Sequence, residues 1–187
     1  MTSKQVQAIS ESELIGACRE GREYAYRELI SRYEERITRT ILGMLGPTPA
    51  ALDTAQETFI RFFQSLDQYR GTAKVSTYLL RIAINLSLNE LKRRERKQQK
   101  QVDIATDDAW LQVEDATADP GKFETRQLVR QALYLLPPEF RAVVVLRLMD
   151  GYSVKEVAAI LDLPEGTVCS RLMRGQKKLR AIIEQIS

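Results

Sequence analysis

From Tyr24 to Leu45 the apolar residues Tyr26, Leu29, Ile30, Tyr33, Ile37, Ile41 and Leu45 recur at steps of three and four. Such a stripe follows the 3.6-residue turn of an α-helix; a strand, whose side chains alternate with period two, would scatter it over both faces. The same period continues on both sides. Ser12 opens a short helical pattern carrying Leu14, Ile15 and Cys18 that ends near Gly21. Gly46-Pro47-Thr48-Pro49 breaks the long helix. A third helix is expected from about Ala50 to Tyr69, with Ala55, Phe59, Phe62, Phe63 and Leu66 on its buried side. After Arg70-Gly71-Thr72 a further long helix runs from about Ser76 to Arg96. No stretch alternates strictly, so the spacing predicts an all-α fold.

The composition then changes abruptly. KRRERKQQK at 92–100 is basic, whereas QVDIATDDAWLQVEDATADPGKFE at 101–124 is acidic, lacks helical periodicity and contains Pro120 and Gly121. This reads as a flexible acidic linker between two small helical domains, 1–100 and 125–187. A chain of 187 residues, 44% hydrophobic and 28% charged, can supply both cores. The net charge of +3 is small, so any nucleic-acid binding must come from where the charge sits.

Histidine is absent and the two cysteines, Cys18 and Cys169, lie far apart. That argues against a histidine general base and against a zinc site of Cys and His. With no nucleophile–base pair and no phosphate-binding glycine loop, neither an enzyme nor a cofactor or metal is expected. Two lone cysteines fit a reducing compartment. The opening MTSKQVQAISESEL lacks the apolar core of a signal peptide, and AVVVL at 142–146 is far too short to span a bilayer. A cytoplasmic chain without membrane insertion is the expectation.

In the second block a helix opening near Phe123 carries Leu128, Val129, Ala132, Leu133 and Leu136. Pro137-Pro138 stops it and starts the next helix, which is expected to end at Asp150-Gly151. Ser153 and Glu156 have the spacing of a capping box, in which each side chain satisfies an amide of the other. The helix it starts, 154–161, should turn Val157, Ala158 and Leu161 inward, and Asp162-Leu163-Pro164 should turn the chain. In the last helix Val168, Leu172, Gly175, Leu179 and Ile182 make the packing stripe. Ser170, Arg174 and Lys177 face the other way, with Cys169 and Met173 at the edge. This is a helix-turn-helix, and a helix that presents hydroxyls and arginine suits a DNA major groove. By itself it would equally fit a one-component regulator whose first hundred residues sense a ligand or partner.

Helix 76–97 bears on that choice. Leu79, Ile82, Ala83 and Leu86 make one apolar face, and Leu80, Ile84 and Leu91 a second. Between them runs a strip of Tyr78, Arg81, Asn85, Lys92 and Arg96. Cations for phosphates, with an amide and an aromatic ring for unstacked bases, suit single-stranded nucleic acid.

Taken together, DTAQETFIRFFQSLDQYRG (53–71), STYLLRIAINLSLNELKRR (76–94) and LLPPEFRAVVVLRLMDGYSVKEVAAILDLPEGTVCSRLMRGQKKLR (135–180), preceded by YRELISRYEERI, resemble the extracytoplasmic-function (ECF) sigma factors. These are small two-domain specificity subunits of bacterial RNA polymerase. The resemblance implies that the first domain docks on core polymerase through Asp53, Gln56, Glu57 and Phe59. It implies that Tyr69, Arg70, Tyr78, Arg81, Asn85 and Lys92 capture and open the −10 promoter element. The last helix would read the −35 element through Thr167, Cys169, Ser170 and Arg171, together with Met173, Arg174 and Lys177, assisted by Arg147. The acidic linker would thread through polymerase toward the RNA path, and an anti-sigma protein would hold the factor inactive.

Three positions depart from the family's usual residues. Tyr78 stands where tryptophan is common and keeps an aromatic face. Cys169 and Gln176 each stand where a cation is usual, so the −35 sequence read by this helix is expected to be atypical or weakly held.

Overall fold

The computed structural model describes residues 9–100 and 120–186, and every regular element among them is helical. Helix α1 (Glu11–Arg19) starts one residue earlier than the apolar pattern implies. The reason is a capping box at Ser10: the Glu13 amide donates to the Ser10 hydroxyl at 3.3 Å, and the Ser10 amide to the Glu13 carboxylate at 2.9 Å. Helix α2 (Glu23–Leu45) buries the predicted stripe of Leu29, Tyr33, Ile37, Ile41 and Leu45.

Helix α3 (Pro49–Gln64) begins with proline in its first turn, where the missing amide would have been an orphan in any case. It ends five residues short of the expected Tyr69. The Ser65 hydroxyl donates to the Phe62 carbonyl at 3.0 Å, and the chain tightens into a 3-10 turn over Leu66–Gln68. That tighter turn brings the Tyr69 ring back to within 6.2 Å of Phe62. Helix α4 (Val75–Lys100) lies against α2 and α3 and buries Leu79, Leu80, Ala83, Ile84 and Leu91.

The second group starts with α5 (Pro120–Leu135), ahead of the expected Phe123, again with proline in the first turn. The rest of the acidic segment, 101–119, lies outside the described residues. Helix α6 (Pro138–Val144) passes directly into a π-helical turn, Val145–Met149, so the regular helix stops well before Asp150. The helix-turn-helix is α7 (Val154–Leu161) and α8 (Glu165–Ile186). The Ser153–Glu156 capping box is present, and Asp162 makes the turn in the left-handed region at φ 55°. Ile160 is buried along with Val157 and Ala158, whereas Leu161 is only partly covered. Val168 and Gly175 bury the stripe of α8. A Cβ at Gly175 would sit 3.0 Å from a Val144 methyl, so glycine sets how closely α8 approaches α6.

The buried side chains of the two groups form one continuous cluster. Gly43 of α2 lets Val145 approach until a Cβ there would be 2.9 Å from its Cγ1. Arg141, itself buried, donates to the Met44 carbonyl at 2.6 Å and the Leu136 carbonyl at 3.0 Å, and also to the Tyr134 carbonyl. Thr40 donates to the carboxylate of Asp150 at 2.6 Å, with Arg39 at 3.7 Å from the other oxygen. Burial pushes the Asp150 carboxyl up from its ordinary value, with Thr40, Arg39 and Arg36 pulling the other way. Burial also lowers the Arg141 guanidinium to about 10, so it remains charged near neutral pH.

Candidate nucleic-acid interface

The loop before α4 and the first turns of that helix build the first surface. Tyr69, Arg70, Tyr78 and Arg81 line one cleft of about 170 Å³ together with Gln68, Thr72, Ala73 and Thr77. That is smaller than the roughly 300–1,000 Å³ of small-molecule sites, and it suits one planar group better than a whole metabolite. Its aromatic wall is a stack of edges: Tyr69 to Tyr78 at 5.5 Å, and Tyr78 to the buried Phe62 at 5.9 Å. The Tyr69 hydroxyl donates to the Ala73 carbonyl at 2.5 Å and so bridges the loop across its own ends. Burial, with the Glu11 carboxylate nearby, raises the Tyr69 phenol above its ordinary value, so the ring stays neutral.

The six residues expected at the −10 element therefore separate into groups. Four line the cleft. Asn85 is exposed one helical turn beyond Arg81. Lys92 lies about 10 Å further along the axis, given the 1.5 Å rise per residue. It lines a separate basic cleft with Asn89, Arg93, Arg96 and Lys97. Two cleft residues are also less free than the sequence suggested. The Tyr69 ring is half-buried on its neighbours, and Arg81 reaches across to the helix-turn-helix.

On α3, Asp53 and Gln56 are exposed, and Glu57 holds Arg61 at 2.6 Å across one turn. Phe59 requires a correction. It is 7% exposed and packs in the core beside Phe63, because its place in the apolar stripe of α3 turns it inward. It can support the face on which docking is expected but does not form part of its surface. The sequence reading passed over Leu52 and Ile60, which are half-exposed and share a line with Gln56. Their signal was available: both are apolar residues off the buried stripe.

On α8, Cys169, Met173, Arg174 and Lys177 are exposed, and Thr167, Ser170 and Arg171 are half-covered. Met173, at 66%, presents the most exposed large apolar side chain among the described residues. The Ser170 hydroxyl donates to the Thr167 carbonyl of its own helix at 3.0 Å. Arg147 is partly buried on the π turn. Arg19 was also missed. It lies 47 to 50 residues from the loop it contacts, a distance that no local pattern bridges.

The Sigma-70 region 2 family matches residues 29–97, and the Sigma-70 region 4 family matches residues 126–179. The ECF RNA polymerase sigma factor SigW of Bacillus subtilis (strain 168) is 30% identical over 169 residues, covering 87% of this chain and 90% of that protein. The ECF RNA polymerase sigma-E factor of Escherichia coli (strain K12) is 29% identical over 178 residues, 91% of this chain and 93% of that one. In fold, the chain resembles the sigma factor RpoE of Bartonella quintana, solved with the anti-sigma factor NepR. The TM-score is 0.69 at 18% identity, over 85% of this chain and 96% of that one. By its sequence, over nearly its whole length, and by its fold, the chain belongs to the ECF RNA polymerase sigma factors.

Proposed function

We propose that residues 1–100 dock on core polymerase and open the −10 element, and that residues 125–187 read the −35 element. On this reading Asp53, Gln56 and Glu57 meet the polymerase, and Leu52 and Ile60 add an apolar margin. Tyr69, Arg70, Tyr78, Arg81 and Asn85 receive an unstacked base, and Lys92 follows the phosphates. Thr167, Cys169, Ser170, Arg171, Met173, Arg174 and Lys177, with Arg147 behind them, face duplex DNA. The protein acts by binding, without catalysis of its own, in the cytoplasm. The solved relative bound to an anti-sigma factor suggests a similar inhibitor here.

The observation that carries this reading is the single cleft lined by Tyr69, Arg70, Tyr78 and Arg81. A small aromatic and cationic recess suits a base already out of the stack. A size argument adds a condition. A packed chain of this length has a radius of gyration of about 16 Å. Promoter elements about 25 base pairs apart lie about 85 Å apart at 3.4 Å per step. The two helical groups must therefore separate before both elements are engaged.

The test is permanganate footprinting of a promoter with holoenzyme carrying Arg70→Ala and Asn85→Ala, both exposed positions. Core binding and −35 binding should match the parent while promoter thymines stay unreactive. Thymines as reactive as with the parent would remove the cleft from promoter opening.

A further inference from the structure

We infer that Arg19 is a positioning residue for the −10 cleft, gripping the recognition loop from the first helix and fixing where Tyr69 and Arg70 stand. The inference rests on the proposed role of that cleft. The guanidinium Nε and Nη2 of Arg19 donate to the Leu66 carbonyl at 3.3 and 3.0 Å, and Nη2 donates to the Tyr69 carbonyl at 2.5 Å. One planar fork thus holds both ends of the step from the 3-10 turn into the loop. The Leu66 carbonyl also accepts from the Tyr69 amide at 3.2 Å, and arginine's fixed fork adds a donor there while reaching on to the Tyr69 carbonyl.

The arm that bears Arg19 is itself rigid. The Tyr26 hydroxyl donates to the Cys18 carbonyl at 2.6 Å, and the Arg22 amide to the Ala17 carbonyl at 3.0 Å. Leu14, Ile15 and Cys18 already fasten α1 to the core, whereas Arg19 is exposed. Its contacts therefore act on the loop rather than on the seating of its own helix. Beyond Tyr69, the loop is closed by the Tyr69 hydroxyl on the Ala73 carbonyl. If the Arg19 grip is lost, the Tyr69 backbone can move relative to Phe62 and Tyr78, and the width of the cleft is no longer fixed. A base would still stack, but the choice among bases would weaken.

The test uses holoenzyme and single-stranded oligonucleotides carrying the −10 non-template sequence, with each of the four bases in turn at every position. Arg19→Ala should keep the parent's melting temperature, core affinity and −35 binding. It should reduce discrimination among bases at one or two positions by about tenfold, the scale of a charge-assisted hydrogen bond. Arg19→Lys, which can reach one carbonyl but not grip both, should fall between. Unchanged discrimination in Arg19→Ala overturns the inference. So does an equal loss for all four bases with a lowered melting temperature, which marks a structural role only. Arg70→Ala and Asn85→Ala are run alongside. If these too bind every oligonucleotide as the parent does, the reading of the cleft has failed, whereas if they lose binding and Arg19→Ala loses nothing, only the role of Arg19 has failed.

Discussion

Nη2 of Arg81 donates to the carbonyl oxygen of Ala159 at 2.7 Å, joining the strip on α4 to the first helix of the helix-turn-helix across 78 residues of sequence. Asp162, in the turn itself, lies 3.9 Å from the same guanidinium. A side chain proposed to meet promoter DNA is thus held by the other helical group in the packed form. If Arg81 does meet promoter DNA as proposed, DNA and Ala159 compete for it. Gly43→Leu offers a way to separate the two, because even the Cβ it adds would stand 2.9 Å from Val145 Cγ1, at the seam between the two groups. Small-angle scattering should give a larger radius for Gly43→Leu than for the parent, and affinity for −10 single strands should rise as Arg81 is released. Adding Val145→Ala should restore part of the packing. A radius unchanged in Gly43→Leu would show that the contact yields locally instead.

Glu57→Lys should weaken core polymerase binding and leave helicity unchanged. The ion pair it removes, with Arg61 at 2.6 Å, is about half exposed on both sides and contributes no more than about 1 kcal/mol. Charge reversal against a basic partner surface acts mainly on association rate. Surface-immobilised core enzyme would report it; parental affinity would remove Glu57 from the docking face.

Arg174→Ala should reduce binding to −35 duplex by about 1–3 kcal/mol if the side chain forks onto a base. If it touches phosphate alone, the loss should be the same on every sequence and the salt dependence should fall by about one ion. Titrations at several salt concentrations separate the two, and equal binding throughout would place Arg174 outside the interface.

Asp150 makes packing sensitive to pH. Burial raises its carboxyl above the ordinary 3.8, so the folded chain holds this proton to higher pH than the unfolded chain does. The sign follows from linkage: the folded state is favoured below that window, and the advantage is lost as pH rises through it. Asp150→Asn cannot ionise and still accepts from Thr40. Denaturant unfolding from acid to neutral pH should therefore show the parent losing ground to Asp150→Asn as pH rises. A pH-independent difference would mean that Asp150 ionises as it does in the unfolded chain.

The two thiols should behave oppositely. Cys18 is buried and its thiol is pushed up to about 11, so it presents almost no thiolate near neutral pH. Cys169 is exposed on α8. Brief alkylation of the native protein should label Cys169 alone, unfolding should expose Cys18, and −35 duplex should protect Cys169. Mass spectrometry of the peptides gives the answer, and labelling of Cys169 undiminished by DNA would place it off the groove.

Local sequence determined most of the helical framework. The three- and four-residue spacing in α2, the Ser153–Glu156 box and the proline before α6 each act within a few residues, where propensity and capping decide the outcome. The strip on α4 was legible for the same reason, since one helix fixes the direction of all its side chains. The end of α3 was not, because the 3-10 turn sets Tyr69 against Phe62 and Tyr78, contacts that no local pattern prescribes; Phe59 follows the inward stripe that its spacing implies, not the docking face that the resemblance assigned it. Only the tertiary structure brings Arg19 to Leu66, Arg81 to Ala159 and Thr40 to Asp150. The members of these pairs lie 47, 78 and 110 positions apart, and no local propensity or cap acts over such distances; only the packing of one helix on another brings them within hydrogen-bond reach.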